Sequence, residues 1–159
     1  RLFTPDAHAT WLLAALDQET SDLSVLVVDD ARMQRLNARY RGIDRPTDVL
    51  AFAMREGAFP QLNPQLLGDV VISAETALRQ ARARRGSFAE ELTHLLIHGT
   101  LHLLGYDHEA SPAAARVMGT KARALWRLVA PLLIALPQPT HAASRRPRSA
   151  KTRHRGTQE

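Results

Sequence analysis

The residues of this chain most capable of chemistry are histidines clustered in one short segment. Four of the seven histidines lie between His94 and His108. His98 and His102 are four residues apart, so on a helix their side chains lie on one face with Cβ atoms about 6 Å apart. Gly105 permits a left-handed turn out of the helix, from which His108 returns to that face. We therefore predict that His98, His102 and His108 bind a metal ion, because three imidazoles with an open fourth position form a catalytic zinc site.

The neighbouring residues favour this prediction over a chance enrichment of histidines. Leucines on either side of the histidines provide apolar surroundings that exclude water, and Gly105 permits the turn. His94 is expected either to support a ligand without touching the metal or to be structural, because a His94–His98–His102 set would spread along the helix and leave His108 unused. Asp107 has two open interpretations, as a carboxylate that orients a ligand imidazole or as a simple turn residue. Nickel, copper and cobalt also suit imidazole, but three nitrogen ligands favour zinc, one ion per chain.

The spacing His-x3-His-x5-His, with a glycine three residues after the second histidine, matches the metzincin metallopeptidase motif H-E-x-x-H-x-x-G-x-x-H. The second residue of that motif is the glutamate that serves as general base. Here the position is Gly99, which cannot accept a proton. A metallopeptidase with a metzincin-like site of three histidines is thus an alternative that keeps its metal ligands and lacks its base.

The elements that must position these residues alternate along the chain. Short apolar runs predict strands at 23–28, 47–53 and 68–73, and the first has the composition of a strand buried on both faces. Helix starts are predicted at five places: Thr4-Pro5, Asp29-Asp30, after Ser73, the capping box Ser87–Glu90, and Ser111-Pro112. The last helix is predicted to run through Trp126. We expect an α+β fold with α/β-like layers: a small, mostly parallel or mixed sheet of three to four strands, about five helices, and a metal site at a helix C-terminus.

The composition indicates one globular domain with a basic extension. Of 159 residues, 45% are hydrophobic and none is cysteine, which excludes a disulfide framework, a Cys-ligated zinc site and a thiol nucleophile. Residues 137–159 carry six of the 21 Lys and Arg and one of the 16 Asp and Glu, which leaves 15 of each sign before them. We expect a single metal-binding catalytic domain at 1–136, a basic disordered tail at 137–159, no membrane span and a cytoplasmic location.

Three segments resemble the YbeY family of bacterial metal-dependent endoribonucleases. HGTLHLLGYDH is similar to the family signature. LNARYRGIDRPTDVLAF (36–52) resembles the family segment LN-x-x-YRG-x-D-x-PT-[DN]-VLSF, and LLGDVVIS (66–73) resembles its LGD-[IV]-x-I-S strand. The segments occur in the family's order. The chain departs from the pattern at Ala51, in place of serine, and at Ala53, in place of proline.

The resemblance implies a zinc-dependent endoribonuclease specific for single-stranded RNA. Zinc would be held by His98, His102 and His108, and Arg41 would be essential. A guanidinium group suits this role chemically, because its planar fork binds two phosphate oxygens and stabilises the charge that develops in phosphoryl transfer. The implied function is maturation of the 3′ end of 16S ribosomal RNA and ribosome quality control, with the small ribosomal subunit and its assembly factors as partners. The other alternative, a non-catalytic ribosome assembly factor with structural zinc, would require a fourth protein ligand.

A neutral domain that binds RNA must place its basic residues unevenly. Two groups of arginines recur at helical spacing and could line a groove or simply face solvent: Arg32, Arg35 and Arg39 before Arg41, and Arg79, Arg82 and Arg85 on the next helix. Glu91 is a candidate general base, because it precedes His98 by seven residues and shares its helix face, although an ordinary surface acid is the other interpretation. The attacking group is either water or the RNA 2′-hydroxyl.

Overall fold

The computed structural model of the chain describes residues 3–54 and 65–135. Its elements are, in chain order, α1 (Pro5–Ala14), β1 (Asp22–Val28), α2 (Asp30–Arg41), β2 (Val49–Ala53), β3 (Leu66–Ser73), α3 (Ala74–Ala83), α4 (Phe88–Leu103) and α5 (Pro112–Ala135). This confirms the expected α+β fold with a small sheet and about five helices. The division into a domain at 1–136 and a basic tail at 137–159 stays a prediction, because the tail lies outside the described residues.

The three strands form a mixed sheet in the order β1-β3-β2. β1 runs parallel to β3, whereas β2 runs antiparallel to it. Leu67, Val70 and Ile72 of the central strand β3 are fully buried. By contrast, Leu26 and Val27 of β1 are 41% and 38% exposed. The prediction that β1 is buried on both faces is wrong, because its apolar run belongs to an edge strand and β3 takes the central position.

Helix α4 packs against the sheet through β2 and β3 and is flanked by α3 and α5. Leu96 and Leu101 point into the main hydrophobic core. Gly99 faces the sheet so closely that a Cβ atom there would lie 2.7 Å from Cγ1 of Val70 and 3.2 Å from Cγ2 of Val49. The absence of a side chain at this position therefore sets how near α4 lies to the strands.

Both ends of α4 form as the sequence predicts. At the start, the amide of Ser87 donates to the Glu90 carboxylate at 2.8 Å, and the amide of Glu90 donates to the Ser87 hydroxyl at 3.2 Å. At the end, Gly105 adopts φ 82° and its N–H donates to the carbonyl of His102. The left-handed glycine redirects the chain into the loop that carries His108.

The last helix is longer than expected. It continues past Trp126 to Ala135 and contains Pro131. Leu125 and Val129, four residues apart, are both buried, so the apolar stripe extends beyond the predicted end of the helix. Within the described ranges, no helix combines the length and apolarity needed to cross a membrane.

Candidate metal centre

The three predicted ligands converge at the C-terminal end of α4. His98 and His102 lie one turn apart on the helix, and their Nε2 atoms are 3.2 Å apart. His108 arrives from the loop after Gly105, with its ring centroid 5.1 Å from that of His98 and 5.2 Å from that of His102. One nitrogen from each ring can be chosen so that all three lie within 4.8 Å of one another. Three imidazoles around one point fit a metal such as zinc.

The surroundings of His98 and His102 keep these two imidazoles ready to bind a cation. Burial lowers the pKa of His98 and of His102 below the ordinary histidine value, and the neighbouring imidazoles lower both further. The negative charge of Asp48 opposes this effect at His98. Neutral imidazoles at pH 7 have the free lone pair that a metal ligand requires. The donor set therefore fits a divalent cation in charge as well as in geometry.

This electrostatic setting predicts how metal binding depends on pH. Protons compete with zinc for the same nitrogens, so affinity must fall once the ligands protonate. Since the pKa of His98 and of His102 lies below the ordinary value of 6.5, we expect their protonation to weaken binding only below pH 6.5. Competition with a chelator from pH 8 to 5 would measure this. A steep fall in affinity between pH 8 and 7 would contradict the lowered pKa values.

Arg41 lines the same cleft as the histidines. It is the last residue of α2, and the cleft is also lined by Thr47, Asp48 and the whole of β2. His98 and His102 of α4 and His108 of the loop line it as well. The cleft has a volume of about 760 Å³, within the usual range for ligand sites. The structure thus brings all four predicted site residues to one cavity.

Asp48 is a cleft residue that sequence reasoning did not single out. Its Oδ2 accepts a hydrogen bond from Nε2 of Gln80 at 3.0 Å, and its Oδ1 accepts one from the amide of Val49 at 2.8 Å. These bonds fix the carboxylate beside the histidines. Its position before an apolar strand was the available signal, but its partner Gln80 lies 32 residues away in the chain.

Three other residues considered from the sequence lie elsewhere or have structural roles. The ring of His94 stacks on Trp126 of α5 with centroids 3.8 Å apart, as expected of a structural residue. Glu91 is buried, and both carboxylate oxygens accept hydrogen bonds from Arg84. Glu91 does not line the cleft and is not exposed, so both suggestions, a general base and an ordinary surface acid, are wrong. Asp107 lines the cleft and accepts from the amide of Glu109, as a turn carboxylate does.

The two arginine groups also differ in the structure. Arg79 of α3 is paired with Asp30 at 2.7 Å, and Arg85 lies beyond the end of α3 with φ 56°. The α3 group therefore does not form a free basic stripe. Along α2, the side chains of Arg32, Arg35 and Arg39 are exposed, and within the described residues none lies within 4.0 Å of a carboxylate oxygen.

Comparison with known proteins agrees with this geometry. The family model described as Endoribonuclease YbeY matches residues 6–129. The chain is 49% identical over 122 residues to the Endoribonuclease YbeY of Geobacter sulfurreducens, which covers 76% of this chain and 81% of that protein. It is 48% identical over 119 residues to the protein of the same name from Geobacter metallireducens, covering 74% and 79% of the two chains.

A solved structure shares the fold. The solution structure of TM1509 from Thermotoga maritima matches with a TM-score of 0.52 and 23% identity, covering 87% of this chain and 95% of that one. The matched family region runs from α1 into α5 and includes Arg41 and all three histidines of the metal centre. With close relatives over most of its length and the site residues inside the matched region, this chain belongs to the YbeY endoribonuclease family.

Proposed function

We propose that this chain is a zinc-dependent endoribonuclease that cleaves single-stranded RNA. The observation that supports it best is the convergence of three histidine nitrogens and Arg41 on one cleft. Membership of the family supports RNA as the substrate. The proposed task is maturation of the 3′ end of 16S ribosomal RNA and ribosome quality control in the cytoplasm, with the small ribosomal subunit and its assembly factors as partners.

In this proposal, Arg41 binds and orients the phosphodiester. It is exposed, and no carboxylate oxygen of the described residues lies within 4.0 Å of its guanidinium. An unpaired guanidinium keeps its donors for the substrate, and its planar fork matches two phosphate oxygens. The C-terminal end of α2 holds the group at the cleft that the three histidines also line.

His98, His102 and His108 would hold the zinc ion. When bound, zinc supplies a Lewis acid that stabilises negative charge on the reacting phosphate. The two helical histidines are held in position by the buried residues between them on α4, and His108 completes the set from the loop. Asp48, fixed by Gln80 and by the amide of Val49, keeps negative charge beside His98 and so favours a bound cation.

The two alternatives have less support. A metallopeptidase would need a general base at position 99, where even a Cβ atom would lie 2.7 Å from Val70. A structural zinc site would need a fourth protein ligand, and in the described part of the chain only three His, Asp or Glu residues come together as a donor group. The first observation disfavours peptide hydrolysis, and the second favours an open position on the metal.

The test is cleavage of a labelled single-stranded fragment of ribosomal RNA. We expect Arg41→Ala to lower the cleavage rate by about 10²–10³, the loss typical of a group that stabilises developing charge. Its zinc content should equal that of the wild type, because Arg41 is not a ligand. Arg41→Lys should recover part of the rate, since lysine keeps the charge and loses the fork.

Arg35→Ala is the matched control, because it removes an exposed arginine from the same helix outside the cleft. It should leave the rate within a few-fold of the wild type. If Arg41→Ala with full zinc cleaves as fast as the wild type, Arg41 does not act on the phosphate. If zinc-loaded wild type cleaves a peptide and leaves RNA intact, the proposed substrate class is wrong.

A further inference from the structure

Tyr40 is an exposed aromatic residue that the metal centre does not use. It precedes Arg41 on α2 and is 57% exposed. Its ring packs edge-on against Phe52 of β2 with centroids 4.9 Å apart, and the guanidinium of Arg39 lies over the ring with its carbon 5.4 Å from the centroid. Phe52 thus supports the ring from beneath the helix, while more than half of Tyr40 remains open to solvent.

The charged groups near Tyr40 are arginines of α2 and the carboxylate of Asp69, which lines the same groove as Tyr40. Arg39 and Arg41 flank Tyr40 in sequence. Within the described residues, neither of these two guanidinium groups has a carboxylate oxygen within 4.0 Å. Free guanidinium groups around an exposed aromatic ring are the combination that single-stranded nucleic acid uses, with phosphates on the cations and bases on the ring.

The position of Tyr40 is continuous with the metal cleft. Phe52, which contacts its ring, lines the metal cleft and also a second groove between α2 and the sheet. Tyr40 lines the second groove, whereas its neighbour Arg41 lines the first. A chain bound to Arg41 in the metal cleft therefore passes next to Tyr40 when it leaves the cleft along α2.

We propose that Tyr40, with Arg39 beside it, is a stacking platform for an unpaired base adjacent to the phosphodiester held by Arg41. This inference rests on the proposed function, because it needs RNA in the metal cleft. The platform accounts for a preference for single strands: a base inside a duplex has its faces covered by neighbouring base pairs and cannot stack on a protein ring. Stacking is tolerant of sequence, so the platform selects unpaired RNA without selecting one base.

The experiment measures binding of a short single-stranded RNA that contains 2-aminopurine, whose fluorescence is quenched on stacking. Stopped-flow recording with the zinc-loaded full chain observes binding before cleavage. We expect Tyr40→Ala to lose the quenching and to bind about 5- to 150-fold more weakly, the range for one base–aromatic stack. Tyr40→Phe should retain both signals. Tyr40→Leu keeps an apolar contact with Phe52 but has no aromatic face, so it should behave like alanine.

Phe88→Ala is the matched control. Phe88 is 38% exposed at the start of α4, at the opposite end from the histidines, and its removal should change neither signal. A duplex of the same sequence should bind wild type and Tyr40→Ala equally.

If the wild type cleaves RNA while Tyr40→Ala and Tyr40→Leu keep wild-type quenching and affinity, the platform is refuted and the proposed function stands. If the wild type neither binds nor cleaves single-stranded RNA, the proposed function fails and the platform with it.

Discussion

Replacing His98 with alanine is expected to abolish zinc binding and RNA cleavage, whereas replacing His94, one turn earlier on the same helix, should leave both intact. Nε2 of His98 lies 3.2 Å from that of His102, inside the group of three donor nitrogens. Loss of a direct ligand should weaken zinc affinity by more than about 100-fold, the upper range for residues that only support a ligand. Metal analysis and RNA cleavage by the purified variants measure the two effects.

His94→Ala is an informative control, because it removes the same side chain from the same helix. The ring of His94 stacks on Trp126, so its loss should lower stability by about 0.5–1.5 kcal/mol. Thermal unfolding of the metal-free proteins measures this loss separately from the effect of zinc. If His94→Ala loses zinc as completely as His98→Ala, His94 is a ligand and the set of three donors is misassigned.

Introducing a side chain at Gly99 should lower the stability of the fold rather than remove a metal ligand. A Cβ atom there would meet Cγ1 of Val70 at 2.7 Å, and Val70 is fully buried. Overpacking of this kind lowers stability by about 1–3 kcal/mol. Alanine has a higher helix propensity than glycine, which offsets at most about 1 kcal/mol of that loss. We expect Gly99→Ala to lower the free energy of unfolding by about 1–2 kcal/mol, and Gly99→Glu by more, because its carboxylate would be buried without a partner. Urea denaturation measures both.

A double variant tests whether the clash with Val70 is the cause. Val70→Ala removes the methyl groups nearest to position 99, so Gly99→Ala with Val70→Ala should cost less than the sum of the two single changes. Leu125→Ala, a buried truncation in α5, should instead be additive with Gly99→Ala. If Gly99→Glu is as stable as the wild type and hydrolyses peptides, position 99 has room for a general base and the metallopeptidase interpretation returns.

Signals that depend on a few neighbouring residues predicted their part of the fold and site correctly. The Ser87–Glu90 capping box, the left-handed Gly105 and the one-turn spacing of His98 and His102 are all local, because they depend on the geometry of one helix and its ends. His108 could be added to the set because it follows Gly105 by only three residues. The convergence of the three histidines was therefore accessible to sequence reasoning.

Features that depend on distant partners were not accessible in the same way. The apolar run of β1 suits a central strand as well as an edge strand, and only the pairing of β3 with both neighbours decides between them. Glu91 shares the helical phase of His98, but Arg84, at the end of a different helix, binds its carboxylate. Composition cannot show that Gly99 packs against Val70, since a glycine in a helix looks the same with or without a sheet behind it.

Helix α4 provides two of the three proposed metal ligands and also a large part of the core, with Leu96, Ile97 and Leu101 buried between and beside His98 and His102. Any drift in core packing therefore moves two ligands together and preserves the distance between them. His108 is free of this coupling, because it lies on a loop beyond the helix. The helix thus fixes the spacing of His98 and His102, whereas the position of His108 depends on the loop. For anyone who redesigns the metal preference of this protein, residue 108 is the position to vary first.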